Sequence, residues 1–355
     1  MENIVADALR STKARESEEY YDTPRIMVLG IGGAGCNSVN RLARAGIKGA
    51  ELVAINTDKM HFSVISDSVK KVLIGSSITR GLGAGGYPEV GAKCADVSRD
   101  ALEKMLAGAD LIFITSGMGG GTGTGASPII AEIAKKQGAI VISIVTYPFA
   151  LERARLEKAD AGIDALKAQA DTIIVIDNNR LVQIVPNLPI DKAFNVADEI
   201  IARAVRGITE TITTPSLINL DFADVRAIMS NGGVSMIAVG EAKGTSRTED
   251  VVNNTLNNAL LDVDYAGATG VLLHITGGPD MTLGECNKIG EALTEKVDPN
   301  ASVIWGARLD PNFEGKIEAI AIFTGIHSPY VLGKSQREPV SAMSHTRGVD
   351  DIEFL

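Results

Sequence analysis

The chain is 355 residues long, enough for about two domains. Apolar residues make up 45% of it and charged ones 22%, a globular composition that excludes disorder throughout. A formal net charge of −10 argues against a nucleic-acid-binding surface.

The longest apolar runs, such as residues 139–147, reach about half of the ~20 residues that a membrane helix needs. No basic segment followed by an apolar one opens the chain, so neither a signal peptide nor direct membrane insertion is expected. Cys36, Cys94 and Cys286 are odd in number, far apart and without a CxxC pair. That pattern excludes a disulfide framework or a zinc cluster and suits a reducing cytoplasm. His61, His274, His327 and His345 share no metal-ligand spacing. Glycine is the outlier, with 37 residues, of which sixteen fall inside 30–35, 75–91 and 117–125. Clustering of that kind marks loops with a task.

In chain order, residues 1–23 are polar and charge-mixed and read as an extension outside the core. Short β-branched runs at 26–29, 52–55, 69–74, 111–115, 140–145 and 173–176 then read as buried strands. Stretches at 36–45, 89–107, 126–137 and 152–169 read as helices. The alternation predicts an α/β fold with a Rossmann-like parallel sheet covered on both faces. Residues 189–212 carry Phe194, Ile201, Ala204, Val205 and Ile208 at three and four spacing, which predicts one long central helix. A smaller α+β unit follows, with strands at 234–239, 270–276, 302–307 and 316–324 and helices at 248–260 and 282–297. The expected division is an extension at 1–23, a first domain at 24–213 that includes the central helix, a C-terminal α+β domain at 214–330, and a tail at 331–355. Within the tail, 334–348 read as a disordered linker ahead of an apolar tip.

The first glycine loop, Gly30-Ile31-Gly32-Gly33-Ala34-Gly35-Cys36-Asn37, joins the first strand to the first helix, and Gly30, Gly32 and Gly35 satisfy GxGxxG. Phosphate oxygens need backbone N–H groups at close range, which a Cβ would prevent, and a helix N-terminus adds a favourable dipole. Asp58 ends the second strand about where a dinucleotide fold holds its ribose, so an NAD(P)-dependent oxidoreductase stays open at this point. The second loop packs six glycines and two threonines into residues 117–125, again ahead of a helix, and reads as a second anion nest. One pyrophosphate does not call for two such loops. A nucleoside triphosphate does, because its β and γ phosphates need contacts of their own. The third loop, residues 80–86, is placed to close over a γ-phosphate. No GxxxxGK[ST] occurs, so a P-loop lysine is absent.

Residues 119–125, GGGTGTG, resemble the tubulin signature, and with the first loop the chain resembles the FtsZ family, the prokaryotic relatives of tubulin. The likeness runs over about residues 24–330. Residues 80–86 are similar to the family's third loop, and Val145-Thr146-Tyr147-Pro148-Phe149 with Glu152 to its nucleotide-holding segment. Residues 191–212 resemble its central helix and 219–225 its synergy loop. The short tail, the N-terminal extension and Ala34 resemble archaeal members, and the tail the second of two archaeal paralogues. The resemblance implies GTP and GDP as ligands, with Mg²⁺ on the phosphates and no metal held by protein side chains. It implies Gly33, Ala34, Gly35, Cys36 and Asn37 in the first loop, Asn37 on the guanine side, and Gly120, Gly121, Thr122, Gly123 and Thr124 at the phosphates. Glu152 and Arg155 reach the ribose and phosphates, Asn178 or Asn179 the ribose, and Asp198 accepts from guanine N1 and N2. Arg155 follows Glu152 by three positions where the family has four, so either a deletion near Arg153 or a different helix start is expected.

Nothing in the first domain supplies a base for water attacking a γ-phosphate. Asp221 and Asp224, with Asn219 as the expected N-cap, fall on one face of a helix. The resemblance implies that they act in trans, completing the site of the next subunit in a head-to-tail filament. It implies a cytoplasmic GTPase whose homopolymer forms a mid-cell division ring at the inner face of the membrane. A tubulin-like GTP binder outside division is a further alternative; such relatives tend to lack the two acids.

The tip of the tail places Ile352, Phe354 and Leu355 beside Asp350, Asp351 and Glu353. An acidic chain is repelled by anionic lipid, so the tip reads as a motif that docks in a membrane-anchoring division adaptor. Deleting residues 349–355 is expected to leave GTP turnover and filament formation intact and to abolish co-sedimentation with adaptor-bearing vesicles. Loss of assembly instead would assign the tip to the folded body.

Overall fold

The computed structural model describes residues 24–184, 187–213, 218, 221–230, 232–256 and 265–326; the N-terminal extension, Asn219 and the whole tail lie outside the described residues. The strands are β1 (Ile26–Ile31), β2 (Ala50–Asn56), β3 (Lys70–Leu73), β4 (Leu111–Gly117), β5 (Ile140–Tyr147), β6 (Thr172–Asp177), β7 (Gly233–Lys243), β8 (Gly270–Gly277), β9 (Ser302–Leu309) and β10 (Lys316–Thr324). The helices of the first half are α1 (Gly32–Ala45), α2 (Ser76–Thr79), α3 (Pro88–Val97), α4 (Arg99–Leu106), α5 (Thr122–Lys136), α6 (Ala154–Lys167) and α7 (Asn178–Ile184). The long helix α8 (Ile190–Thr213) follows, then α9 (Phe222–Met229), α10 (Arg247–Leu256) and α11 (Leu283–Thr294).

Among the described residues ten strands form one sheet in the order β3-β2-β1-β4-β5-β6-β7-β10-β8-β9. Strands β1 to β6 are parallel throughout, and β1 is buried along its full length, as strands covered on both faces must be. The second block does not form a separate sheet. It joins the first through the short parallel pairing Thr172↔Gly233 and Ile173↔Val234, after which β10 runs antiparallel to both β7 and β8. The strand order reverses at β1, whose neighbours are β2 and β4, so the loops after β1 and β4 flank the crevice where such sheets bind ligands.

Apolar burial holds the layers together. One face of the sheet packs Val39 and Leu42 of α1 with Ile201, Val205 and Ile208 of α8 and Val225 and Ile228 of α9. The other packs Cys94 and Ala95 of α3, Leu102 and Leu106 of α4, Ile130 and Ile133 of α5, and Ile163 and Leu166 of α6. A third cluster joins Val251 of α10 and Ile289 and Leu293 of α11 to Phe323 of β10.

Departures from the expected elements have local causes. Helices α1 and α5 start at Gly32 and Thr122, four residues earlier than expected, because the glycine loops are themselves the first helical turns. The stretch at 89–107 breaks at Ser98, which leaves helical geometry (φ −102°, ψ 9°) and whose Oγ accepts the Gly75 N–H at 3.1 Å. Strand β7 runs on to Lys243 because Gly240 lets α10 approach; a Cβ there would lie 2.3 Å from Thr255 Oγ1. Gly125 does the same where α3 meets α5: a Cβ would lie 1.9 Å from the Pro88 carbonyl oxygen. Gly125→Ala is therefore expected to cost about 1–3 kcal/mol, read as a lower urea midpoint. An unchanged midpoint would contradict this helix packing.

Candidate nucleotide site

A cavity of about 500 Å³ opens between the loops that follow β1 and β4. At one end the two loops touch backbone to backbone. Gly32 has φ 74°, and a Cβ on it would lie 2.8 Å from the Gly123 nitrogen. A Cβ on Gly117 would lie 2.7 Å from that of Ala34, and one on Gly35 2.2 Å from the Thr115 oxygen. The N-termini of α1 and α5 therefore sit side by side, and their free N–H groups and positive dipole ends favour an anion. Thr57 Oγ1 and Thr122 Oγ1, 2.7 Å apart, fix the hydroxyl at the start of α5.

Gly33, Ala34 and Asn37 of the first loop line the cavity, as do Gly120, Gly121, Thr122 and Gly123 of the second. Three expected residues do not. Gly35 packs its backbone against β4, and Cys36 is fully buried with Sγ toward the carbonyl oxygens of Gly30 and Ile55. Thr124 is turned inward, where its Oγ1 accepts the Gly119 N–H at 2.9 Å and shapes the loop. Loop 80–86 contributes no lining residue. It is held aside by the Gly83 N–H on the Thr57 oxygen (3.1 Å) and by Lys158 Nζ on the Gly86 oxygen (2.7 Å).

Along one wall, Glu152 and Arg155 face the cavity as an ion pair at 2.7 Å. The three-residue spacing works because Glu152 folds back on the Phe149 N–H (3.0 Å), closing a 3₁₀ turn over Ala150–Glu152, and α6 starts only at Ala154. Asn178 lines the cavity, and its buried Oδ1 has no partner among the described residues. Asn179 is occupied elsewhere: its Oδ1 accepts the Ala150 N–H at 2.8 Å and its Nδ2 donates to Asp177 Oδ1 at 2.7 Å.

The far end belongs to α8. Phe194 and Asp198, one turn apart, both line the cavity, and the Phe194 ring meets that of Phe149 edge-on at 5.9 Å. Ser38 donates to Asp198 Oδ1 and Arg41 to Asp198 Oδ2. Burial pushes the Asp198 carboxyl above its ordinary range, and these two donors oppose that rise. Ser38, Arg41, Phe149 and Phe194 were not among the expected site residues. The signal was present in the spacing: 37, 38 and 41 on one helix, 194 and 198 on another.

Asp221 and Asp224 do not line the cavity. Asp221 itself is the N-cap of α9, in place of Asn219: its Oδ1 accepts the Asp224 N–H at 2.7 Å, and Asp224 Oδ2 faces the Asp221 N–H at 3.4 Å. Asp221 is exposed and Asp224 half-buried. Asp58 does not line the cavity either; its Oδ1 accepts the Met60 N–H at 2.9 Å. The acid that a dinucleotide fold needs at the ribose is thus spent on a turn. Among the described residues no helix is long and apolar enough to cross a membrane.

The sheet order, the paired glycine loops and the cavity at the strand reversal define an α/β nucleotide-binding protein with no P-loop. Residues 25–186 match the model of the Tubulin/FtsZ family, GTPase domain, and residues 233–327 that of the FtsZ family, C-terminal domain. The chain is 58% identical over 338 residues to cell division protein FtsZ 2 of Methanocaldococcus jannaschii, covering 94% of this chain and 89% of the relative. It is 50% identical over 366 residues to cell division protein FtsZ 2 of Halobacterium salinarum, covering 99% and 93%. Its fold matches an empty FtsZ dimer structure from M. jannaschii at a TM-score of 0.79 and 44% identity, over 91% of this chain and 92% of that one. The chain belongs to the Tubulin/FtsZ family, among its archaeal FtsZ members. It is a GTPase and a filament protein of cell division, and the oxidoreductase reading falls.

Burial raises the Cys36 thiol to about 12. Iodoacetamide at pH 8 is therefore expected to leave Cys36 unmodified in the folded chain and to alkylate it after denaturation. Rapid modification of the native chain would place Cys36 at the cavity instead of the core.

Proposed function

We propose that the cavity takes GTP and GDP with the phosphates at the paired helix N-termini and the base at Asp198. The observation that carries this reading is that one cavity joins an end made of backbone N–H groups to an end with a carboxylate beside an aromatic ring. The anion belongs at Gly33, Gly120, Gly121, Thr122 and Gly123. The guanine edge, with its N1–H and N2–H donors, belongs at Asp198 against Phe194, with Asn37 beside it. The ribose lies between them, where the unpartnered Asn178 Oδ1 supplies an acceptor and the Glu152–Arg155 pair a donor and an acceptor. Mg²⁺ would ride on the phosphate oxygens, where it neutralises charge. The first domain spans 24–213, with α8 as its last helix, and the C-terminal domain 214–330.

Hydrolysis needs a second chain. Asp221 and Asp224 lie away from the cavity of their own chain, at the start of α9, with Asp221 exposed and Asp224 half-buried. In a head-to-tail contact they orient and polarise the water that attacks the γ-phosphate of the neighbouring subunit. Three strongly exposed apolar side chains, Met60, Leu82 and Leu151, sit on the loops after β2, β3 and β5, at the cavity end of the sheet. Covering them in such a contact gives assembly a hydrophobic driving force. The filament acts as a cytoplasmic mid-cell ring, tied to the inner face of the membrane by an adaptor on the tail tip.

Asp224→Asn keeps an acceptor for the helix cap while removing the charge. It is expected to bind GTP nearly as the parent does and to turn it over about 10²-fold more slowly. Unchanged turnover per subunit in filaments would remove Asp224 from catalysis. Specific activity of the parent chain is expected to rise with concentration above a threshold; strict proportionality down to nanomolar chain would contradict a site shared by two subunits.

A further inference from the structure

Asp198 is not a free carboxylate waiting for a base. It stands on α8 with its side chain 12% exposed, and both of its oxygens are already engaged from one face of α1. Ser38 Oγ donates to Oδ1, and Arg41 Nη1, three residues further along the same helix, donates to Oδ2. Ser38 is itself 5% exposed. The hydroxyl lies 3.3 Å from the Ala34 carbonyl as well, but its one proton goes to the charged acceptor.

We infer that Ser38 and Arg41 are positioning residues that hold Asp198 as a fixed two-acceptor fork, and that selection of a purine with adjacent ring N–H and amino donors depends on them. The inference rests on the base end of the cavity proposed above. A carboxylate offers about four lone-pair sites, two per oxygen. One on each oxygen is taken by the α1 donors, which stops rotation about the Cβ–Cγ bond. One on each oxygen remains, in the carboxylate plane, for a ligand. Guanine matches them with N1–H and the N2 amino group. Hypoxanthine offers N1–H alone and leaves one acceptor unpaired. Adenine sets a lone pair at N1 against a negative oxygen. Arg41 has a second effect in the same direction, because its positive charge keeps a poorly solvated carboxyl in the anionic, acceptor-only form. Without Ser38 and Arg41 the group is free to rotate or to take up a proton, and either change turns one acceptor into a donor or aims it away.

The test measures dissociation constants of GDP, IDP and ADP for the full-length chain and for Ser38→Ala, Arg41→Met and Arg41→Lys. The parent is expected to prefer GDP to IDP by about tenfold or more. In Arg41→Met that ratio is expected to fall toward unity through loss of GDP affinity, with IDP affinity nearly unchanged. Arg41→Lys restores a charged donor to Oδ2 and is expected to recover most of the ratio. A merely structural role would weaken GDP and IDP alike and leave the ratio where it was. Should Arg41→Met fail to fold, Ser38→Ala removes a single hydroxyl and carries the same test through Oδ1. A parent chain with no preference for GDP overturns the base-end reading. A parent preference that persists in both Arg41→Met and Ser38→Ala overturns this inference alone.

Discussion

Everything at the cavity depends on two loops that meet at glycines, with no Cβ there to hold them apart. Strands β1 and β4 are neighbours in the sheet, and the chain leaves both at the same level, so their loops compete for one place. Gly32 and Gly123 meet backbone to backbone there, and Gly35 lies against the Thr115 carbonyl; a Cβ at Gly32 or Gly35 would enter the space of the opposing chain. The result is two helix N-termini aimed at one point, which concentrates unpaired N–H groups and two positive dipole ends without a single lysine or arginine in either loop. An anion site built from backbone has one consequence for ligand choice: it recognises phosphate and ignores the base. Selection of the base has to come from somewhere else.

In the proposed reading it comes from the helices. Helix α1 begins at the phosphate end and carries Asn37, Ser38 and Arg41 along the cavity wall, while Asn40 on the same helix accepts the Ser66 N–H at 2.8 Å and donates to the Val64 oxygen at 3.1 Å. Helix α8 supplies Phe194 and Asp198, and one turn beyond them Arg203 reaches Glu241 of β7 and Glu318 of β10. Those two acids stand directly opposite each other across the strand pair. Like charges so placed repel, and the arginine between them relieves it. Burial still pushes the Glu318 carboxyl above its ordinary range. Further along, Glu210 of α8 pairs with Arg308 of β9 at 2.6 Å. The helix that presents the base-end carboxylate is thus clamped to the far half of the sheet by ion pairs across a polar cleft. The nucleotide end and the C-terminal half are two ends of one rod.

Much of this was legible in the sequence, because strand period and loop chemistry are local properties. The six parallel strands, the long helix and the two glycine loops follow from β-branched runs, three and four spacing and clustered glycine. The expected helix starts fall four residues late because clustered glycine reads as loop, whereas at an N-terminal turn the N–H groups are unpaired in any case and the missing Cβ is the requirement. The continuity of the sheet from β6 to β7 could not be read, since it rests on two residue pairs 61 positions apart in the chain. Cys36 and Thr124 sit inside loops whose neighbours line the cavity, and only the direction of each Cβ separates them. Arg41 reads on its own as a solvated cation within a helix. Its partner is 157 residues away, and no spacing rule reaches that far.

The central claim is that backbone loops and a held carboxylate together make a site for a guanine nucleotide. The most direct measurement is to purify the full-length chain, denature it, and identify and count the nucleotide released by chromatography with mass detection, repeating it after the folded chain has been stripped and offered an equimolar mixture of GDP, ADP and NAD. The account predicts guanine nucleotide, equimolar with the chain, in both cases. Release of NAD, or a folded chain that takes up adenine and guanine nucleotides alike, would contradict it.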